Sequence, residues 1–201
     1  MATKRLSKKS ESYHHGDLRK ALLDSAETIL KRDGLNALSL RACAREAGVS
    51  HAAPAHHFAN LASLLSELAA VGYERLAAAL RRALSEENAE AIEAGRAYVR
   101  FAQNNRQIFF LMSDPSRLDA KNPILARARR DALIALAATG SVPVQQPTLQ
   151  QLGEITSNWA VVHGFSMLML TERLGMLLSI APSGTTTMDL LEVTLSSMRR
   201  Q

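Results

Sequence analysis

Apolar residues near the start of the chain recur at the spacing of a helix face. From Leu18 to Arg32 they fall three or four residues apart, which predicts an amphipathic helix capped by Asp17 and stopped at Gly34. No segment alternates polar and apolar residues over the length of a strand. Aromatic residues make up only 4% of the chain, in which the helix formers Ala, Leu and Arg dominate. We therefore predict an all-α fold.

A helix-turn-helix is predicted directly after this first helix. Ser39 is the expected N-cap of a short second helix, and Gly48 allows the positive φ of a tight turn. Ser50 is then expected to cap a third helix that runs from His51 to about His57. Two short helices joined by a three-residue turn with Gly form this motif. Ordinary helical corners show the same spacing, so the pattern alone leaves DNA binding open.

The rest of the chain is predicted to form longer helices. Their starts are marked by capping residues, of which Asn122 before Pro123 is the clearest, and Thr187 is the expected cap of the last helix. Pro, Gly and Ser accumulate between the later helices and predict loops there, at 141–147 and 175–186. The predicted helices cover about 61–82, 88–103, 106–112, 123–139, 148–171 and 187–198.

Positive charge is concentrated at the N-terminus. The first ten residues contain Lys4, Arg5, Lys8 and Lys9 and no acid, in a chain of 201 residues with a net charge of +5. Such a segment is either a solvated terminus or an arm that follows the phosphates of a nucleic acid. We expect residues 1–12 to form a disordered basic arm.

The single cysteine and the hydropathy pattern exclude several classes of protein. Cys43 alone cannot build a disulfide framework, a four-cysteine zinc site or a CxxC pair. Glu172 and Arg173 interrupt the most apolar stretch, so no membrane span is predicted. The first 17 residues lack the apolar core of a signal peptide. We expect a cytoplasmic protein that does not associate with membranes.

Two parts of the chain resemble a known family. The first resembles the N-terminal domain of the TetR (tetracycline-repressor-like) family. It is carried by Tyr13–Arg19, Gly34, Leu38–Arg41, Ala44, Ala47–Ser50 and Phe58. Further on, Trp159–Gly164 is similar to the Trp-His-Gly signature of one TetR C-terminal subfamily. The two matches follow the family's order along the chain.

The resemblance implies a dimeric transcriptional regulator, usually a repressor that a small-molecule effector releases from double-stranded operator DNA. It assigns residues 13–60 to the DNA-binding domain and residues 61–201 to an effector-binding and dimerisation domain. The dimer is expected to form through the last two helices, 148–171 and 187–198. Apolar residues there exceed the needs of one small core, although core packing explains them equally well. They are Leu168, Leu170, Leu190, Leu191, Val193, Leu195 and Met198.

By the same resemblance, the third helix would be the recognition helix in the major groove, with Ser39 and Arg41 at the phosphate backbone. The family usually has Tyr where this chain has Ala55, and Lys where it has Leu61. Both usually contact phosphates, so their loss predicts lower affinity and a shallower salt dependence. Pro54 lacks a backbone N–H and predicts a short or irregular recognition helix. The residues expected at DNA are Lys4, Arg5, Lys8, Lys9, Ser39, Arg41, Ser50, His51, Ala52, Ala53, Ala55, His56 and His57.

The histidines raise the question of a metal site. His51, His56 and His57 lack the spacing that places two ligands on one helix face. We expect no metal and no cofactor, and we interpret these side chains as donors for phosphates or bases. Histidine changes charge near neutral pH, so DNA binding is expected to be weakly pH-sensitive.

An effector cavity is expected where the longest predicted helix carries large, adaptable side chains. An apolar space with one or two polar groups suits a small molecule, but a plain core with a satisfied His163 has the same pattern. The expected effector residues are Phe109, Phe110, Met112, Trp159, His163 and Met167.

Two other functions were weighed against a DNA-binding regulator. An enzyme that uses the histidines lacks a nucleophile–base–acid set, a phosphate loop and metal-ligand spacing, so we expect no catalytic residues. A helical interaction protein that no longer binds DNA remains open because of Ala55 and Leu61.

Overall fold

The computed structural model describes residues 15–85, 91–140 and 145–198, and every regular element within these ranges is helical. The predicted all-α fold is confirmed. The α-helices are α1 (His15–Asp33), α2 (Leu40–Glu46), α3 (Leu61–Ala83), α4 (Ala91–Asn104), α5 (Arg106–Met112), α6 (Pro123–Ala137), α7 (Leu149–Leu170), α8 (Gly175–Ser179) and α9 (Thr187–Met198). Single 3₁₀ turns lie at Leu35–Ala37, Ala53–His56, Pro115–Arg117 and Ala138–Gly140.

By its internal contacts the chain divides into two compact units, Met1–Leu64 and Leu65–Gln201. In the first unit, the apolar face of α1 buries Leu22 and Leu30 against the small residues of α2. Cys43 lies at this crossing, fully buried, and burial raises the pKa of its thiol to about 11. A thiol in that state is a packing group and a poor nucleophile. Arg32, at the end of α1, binds both carboxylate oxygens of Glu46 at 3.0 and 3.2 Å.

In the second unit, α4 packs against both α7 and α9. A Cβ on Gly95 would come within 3.0 Å of the Leu195 side chain, so glycine is what lets α4 approach α9 this closely. Arg96 adds a bidentate ion pair from α4 to Glu192 of α9. Two helices that lie almost a hundred residues apart in sequence are joined by both packing and charge.

Several predicted helix caps are present. The Ser39 hydroxyl accepts the Ala42 N–H at 3.0 Å, and the Asn122 side chain accepts two N–H groups of α6. The caps at Ser39 and Asn122 satisfy orphan donors within three residues, which is why sequence alone predicts them. Thr148, predicted as the first residue of its helix, instead caps α7 in a reciprocal capping box with Gln151.

Other helix boundaries differ from the prediction. Helix α1 begins at His15, so Asp17 lies inside its first turn instead of capping it. Thr186 caps α9 in place of Thr187, because its hydroxyl accepts the Asp189 N–H while Asp189 accepts in return. The predicted helix start at Asn88 lies outside the described residues.

Helix α8 interrupts the loop predicted at 175–186. The chain leaves α7 through a turn in which Glu172 has a φ of +61°, and it buries Leu174 immediately afterwards. The apolar residues that follow form the short helix α8. The Gly and Pro signals on either side of this run outweighed its helical tendency in the prediction.

Candidate functional site

The turn between α2 and the predicted recognition helix is formed as expected. Gly48 has a φ of +69°, which an L side chain rarely adopts. The Val49 N–H then donates to the Ala44 carbonyl at 3.0 Å and closes the end of α2. This geometry places the following residues beside α2, as a helix-turn-helix requires.

The predicted third α-helix from His51 to His57 is wrong. The segment forms turns around a 3₁₀ helix at Ala53–His56, and its N–H groups bond three residues back: Ala53 to Ser50, and His57 to Pro54. Pro54 has no N–H to give the Ser50 carbonyl, so the α-helical bond at that point cannot form. The expectation of a short, irregular element is confirmed. We call residues 51–57 the recognition segment.

The residues predicted at DNA differ in their exposure. Seven of those described are exposed, and Ala53 and His57 are half-buried. The exposed ones are Ser39, Arg41, Ser50, His51, Ala52, Ala55 and His56. Ser50 does not cap the segment with its side chain, since the element begins after Ala52. The arm residues Lys4, Arg5, Lys8 and Lys9 lie outside the described residues.

A buried anchor holds the recognition segment in place. The Phe58 ring is 1% exposed, and its N–H donates to the Pro54 carbonyl at 2.9 Å. The Arg19 guanidinium lies over the ring at 5.5 Å from its centroid. Next along the chain, Asn60 caps α3, and Leu61 is the half-buried first residue of that helix. Position 61, where the family resemblance implies a lysine, therefore carries an apolar side chain in this chain.

The second unit contains a cavity of about 430 Å³ within the helices α3 to α7. Its walls are the Leu and Ala side chains of α3 and α6, together with aromatic rings. Four of the predicted effector residues line it: Phe109, Met112, Trp159 and His163. Tyr73, Tyr98 and Arg129 also line it, and none of these three was predicted from the sequence.

Phe110 and Met167 do not line this cavity. Phe110 follows Phe109 on α5 and so points about 100° away, where it packs against the Arg106 guanidinium at 5.4 Å. Met167 lies one turn beyond His163, and the cavity meets only the two turns of α7 that carry Trp159 and His163. The prediction that these two residues contact an effector does not fit the cavity.

Three polar side chains form a chain of hydrogen bonds in the cavity wall. The Trp159 Nε1–H donates to the Tyr98 hydroxyl at 3.3 Å, and that hydroxyl lies 3.1 Å from His163 Nδ1. Indole can only donate, and Nδ1 is the acceptor that the described residues offer the Tyr98 hydroxyl proton, so we assign that proton to the bond with Nδ1 and the imidazole proton to Nε2. Burial raises the pKa of Tyr98 to about 12 and lowers the pKa of His163, which keeps both groups neutral.

The remaining polar groups of the wall are mostly occupied. The Tyr73 hydroxyl donates to the Met112 carbonyl at 3.1 Å, and the Ser113 hydroxyl donates to the Phe109 carbonyl at 2.9 Å. Arg129 stacks over the Tyr73 ring, 5.6 Å from its centroid. The cavity is thus an aromatic space with a small number of fixed polar groups, which is the make-up of a small-molecule site.

The residues predicted for a dimer interface fall into two groups. Leu170, Leu191 and Leu195 are buried inside the protomer, so the structure assigns them to its core. Leu168 is 41% exposed and Val193 67% exposed, while Leu190 is half-buried. The side chain of Met198 lies outside the described residues. On α7 a further row of small residues shares the face of Leu168: Gly153, Ser157, Ala160 and Gly164.

Two features are absent from the part of the chain that the structure describes. Within 15–85, 91–140 and 145–198, no three His, Cys, Asp or Glu side chains are grouped to hold a metal ion. None of the described helices combines the length and the hydropathy that crossing a membrane requires.

Family models match both parts of the chain. Residues 22–68 match the bacterial regulatory proteins of the tetR family. Residues 90–191 match the tetracyclin repressor-like C-terminal domain. No curated protein matches the sequence. These matches do not distinguish the Trp-His-Gly subtype, which stays a prediction.

Solved structures share the fold. A protein of unknown function from Rhodococcus sp. RHA1 is 32% identical, covers 95% of this chain and 96% of its own, and has a TM-score of 0.69. The multidrug binding protein EbrR complexed with imidazole is 22% identical, with 95% and 96% covered and a TM-score of 0.56. A TetR family transcription regulator from Marinobacter aquaeolei VT8 is 16% identical, with 89% and 92% covered and a TM-score of 0.53.

The family matches agree with the geometry at both ends of the chain. The first contains the helix-turn-helix, and the second contains most of the cavity and covers about half of the sequence. The chain therefore belongs to the TetR family of DNA-binding transcriptional regulators.

Proposed function

We propose that this regulator is a homodimeric repressor that binds operator DNA and is released when a small-molecule effector occupies the cavity. The observation that carries the proposal is the cavity of about 430 Å³, whose size and aromatic walls suit a small organic molecule. An effector that binds the DNA-free state more tightly shifts the protein toward that state.

The proposed DNA contacts centre on the start of α2. Arg41 is exposed there and supplies a guanidinium for a phosphate. The Ser39 hydroxyl accepts the Ala42 N–H, so its own proton is available to donate to a phosphate. The exposed His51 and His56 supply donors for base edges, and the alanine methyl groups of the recognition segment suit contact with thymine methyls. We expect specific binding with few phosphate contacts.

The test is binding to DNA upstream of the protein's own gene, measured by footprinting and by fluorescence anisotropy over a salt series. We expect a protected palindrome, because a two-fold dimer reads two half-sites. Arg41→Gln is expected to weaken binding about tenfold on every sequence and to lower the salt slope by about one. Arg45→Gln is the matched control, since Arg45 is also an exposed arginine of α2.

Each result decides between functions. Featureless binding at every sequence would overturn the operator proposal and favour a helical interaction protein. Equal losses for the two arginine variants would remove Arg41 from the DNA surface. Transcription from a promoter that carries the protected site tests repression directly, because a repressor lowers the transcript level and an activator raises it.

The proposed dimer forms through the exposed faces of α7 and α9. The small residues on α7 let a second helix approach closely, and Leu168 and Val193 supply exposed apolar surface. A Cβ at Gly164 meets nothing within 4 Å inside the protomer. A Cβ at this position therefore fits the protomer, and we expect a larger side chain here to obstruct a neighbouring chain.

Sedimentation of Gly164→Leu tests this interface. We expect the variant to be a folded monomer, with helicity like that of the wild type. Ala126→Leu adds the same side chain at an exposed position of α6 and is expected to stay dimeric. A dimeric Gly164→Leu protein would place the interface elsewhere.

A further inference from the structure

The wall of the cavity has an uneven balance of charge. Arg129 is the one formally charged side chain in the described lining, and no carboxylate lies beside it there. Four of the nine Phe, Tyr and Trp residues of the whole chain line the same space. A binding site with this lining repels a cation and accommodates a flat or apolar body.

Arg129 is held in the wall without a charge partner. It is half-buried on α6, stacked on Tyr73, and it forms no ion pair with any described carboxylate. The nearby Asp131 is approached instead by Arg127, at 3.9 Å. A guanidinium that is partly removed from water gains most from an anion that reaches it.

The hydrogen bonds already made by the other polar groups of the wall also favour a ligand that carries a hydrogen-bond acceptor. With the Tyr98 proton assigned to His163 Nδ1, the imidazole keeps its own proton on Nε2 as a donor. That N–H has no hydrogen-bond partner among the described residues. The hydroxyl protons of Tyr73 and Ser113 are already given to backbone carbonyls. The donors that remain in the wall are therefore Arg129 and His163.

We propose that the effector is an amphiphilic organic acid, bound as its anion, whose apolar or aromatic body fills the cavity and whose carboxylate binds Arg129. This inference rests on the proposed function, which makes the cavity the effector site. It names the chemical class that the site selects: acids are preferred over neutral analogues, and organic cations are excluded.

Three probes of one shape test the charge preference. Para-butylbenzoate, para-butylbenzamide and para-butylbenzylammonium share an apolar body and differ in the charge of the head group. Trp159 is the only tryptophan of the chain and lies in the wall, so its fluorescence reports binding to the full-length protein. We expect the benzoate to bind at least tenfold more tightly than the amide, and the ammonium to bind more weakly than both.

Two arginine variants test the assignment of the anchor. Arg129→Gln is expected to reduce the benzoate affinity to that of the amide while leaving the amide affinity unchanged. Arg130→Gln is the matched control, because Arg130 is the next residue of α6, is exposed and does not line the cavity. We expect it to retain the full preference. Circular dichroism confirms that each variant is folded.

The outcomes separate the two proposals. If the amide or the ammonium binds as tightly as the benzoate, the acid class is wrong and the cavity remains the effector site. If the preference survives in Arg129→Gln, the anchor is wrong. If calorimetry and fluorescence detect none of the three probes at millimolar concentration, the proposed effector cavity falls together with this inference.

Discussion

The recognition segment and the cavity build their chemistry in opposite ways. The recognition segment is seven consecutive residues, mostly exposed, that carry three alanines and three histidines on one irregular turn. The cavity collects side chains from five helices, and its bonded pair Tyr98 and His163 lie 65 residues apart in sequence. A contiguous exposed motif can change its contacts one residue at a time, whereas the cavity requires several helices to keep their packing.

This difference determines how each region responds to substitution. In the recognition segment the exposed residues are the proposed DNA contacts, and stability resides in the buried anchors beneath them. In the cavity, the side chains that line the wall also form its hydrogen bonds and pack the surrounding helices together. We expect exposed DNA-facing variants to keep their stability and cavity variants to change stability and binding together.

The largest expected effect comes from removing the anchor of the recognition segment. Phe58→Ala deletes a ring that is 1% exposed and is expected to cost about 3–5 kcal/mol. Because the buried ring fixes the end of the recognition segment, we expect DNA binding to fall with stability. Urea denaturation followed by circular dichroism measures the loss, with the half-buried Phe110→Ala as the milder comparison. A loss below about 1 kcal/mol would show that the segment is anchored elsewhere.

The next effect tests whether the cavity wall acts as a connected unit. Tyr98→Phe removes one oxygen and leaves both the Trp159 Nε1–H and the His163 Nδ1 without their partner. We expect a loss of about 1–3 kcal/mol in urea denaturation followed by tryptophan fluorescence. Tyr73→Phe is the control, because its hydroxyl serves only the Met112 carbonyl. Equal losses for the two variants would mean that the three groups do not act together.

The two regions also differ in what sequence could predict. The caps at Ser39 and Asn122 were predictable because a cap and the N–H it satisfies lie within three residues. The irregular recognition segment was predictable from one property of Pro54. The family resemblance supplied the order of the two parts of the chain. Local capping signals, one proline and the family resemblance therefore predicted most of the helices and the order of the two parts of the chain.

The cavity wall was only partly predictable, since its contacts are long-range. Nothing local marks Arg129, which lies in a run of charged residues that resembles a solvated helix face. Adjacent Phe109 and Phe110 are equivalent in sequence, and only the packing of α5 chooses between them. Tyr98 reaches the cavity wall because α4 packs against α7, a contact between helices that are far apart in sequence.

A smaller effect is expected at the first DNA-facing helix. Ser39→Ala removes the acceptor for the Ala42 N–H and is expected to cost about 1 kcal/mol. Ser39→Thr keeps the hydroxyl and is expected to restore most of that stability. Thermal unfolding compares the three proteins. Equal stability of the wild-type and Ser39→Ala proteins would show that water satisfies the Ala42 N–H when the cap is removed. Ser39 would then tolerate substitution like the other exposed residues.

The smallest expected effect is the pH dependence that His163 gives the cavity. Burial lowers the pKa of His163, so the folded state resists a proton that the unfolded chain accepts near pH 6.5. The stabilising contribution is complete above that ordinary value and is lost as the pH falls through the lower folded pKa. The groups around the imidazole do not offset this cost, because Tyr98, Trp159 and Phe109 are neutral and Arg129 is a cation in the same wall.

We expect the wild-type melting temperature to fall more steeply below about pH 6.5 than that of His163→Gln, which has no proton to gain. Met112→Leu, which changes the same wall without removing a titrating group, is expected to keep the wild-type slope. Identical slopes for the wild-type and His163→Gln proteins would show that the ring is hydrated. The cavity would then resemble the recognition segment, with histidines open to water.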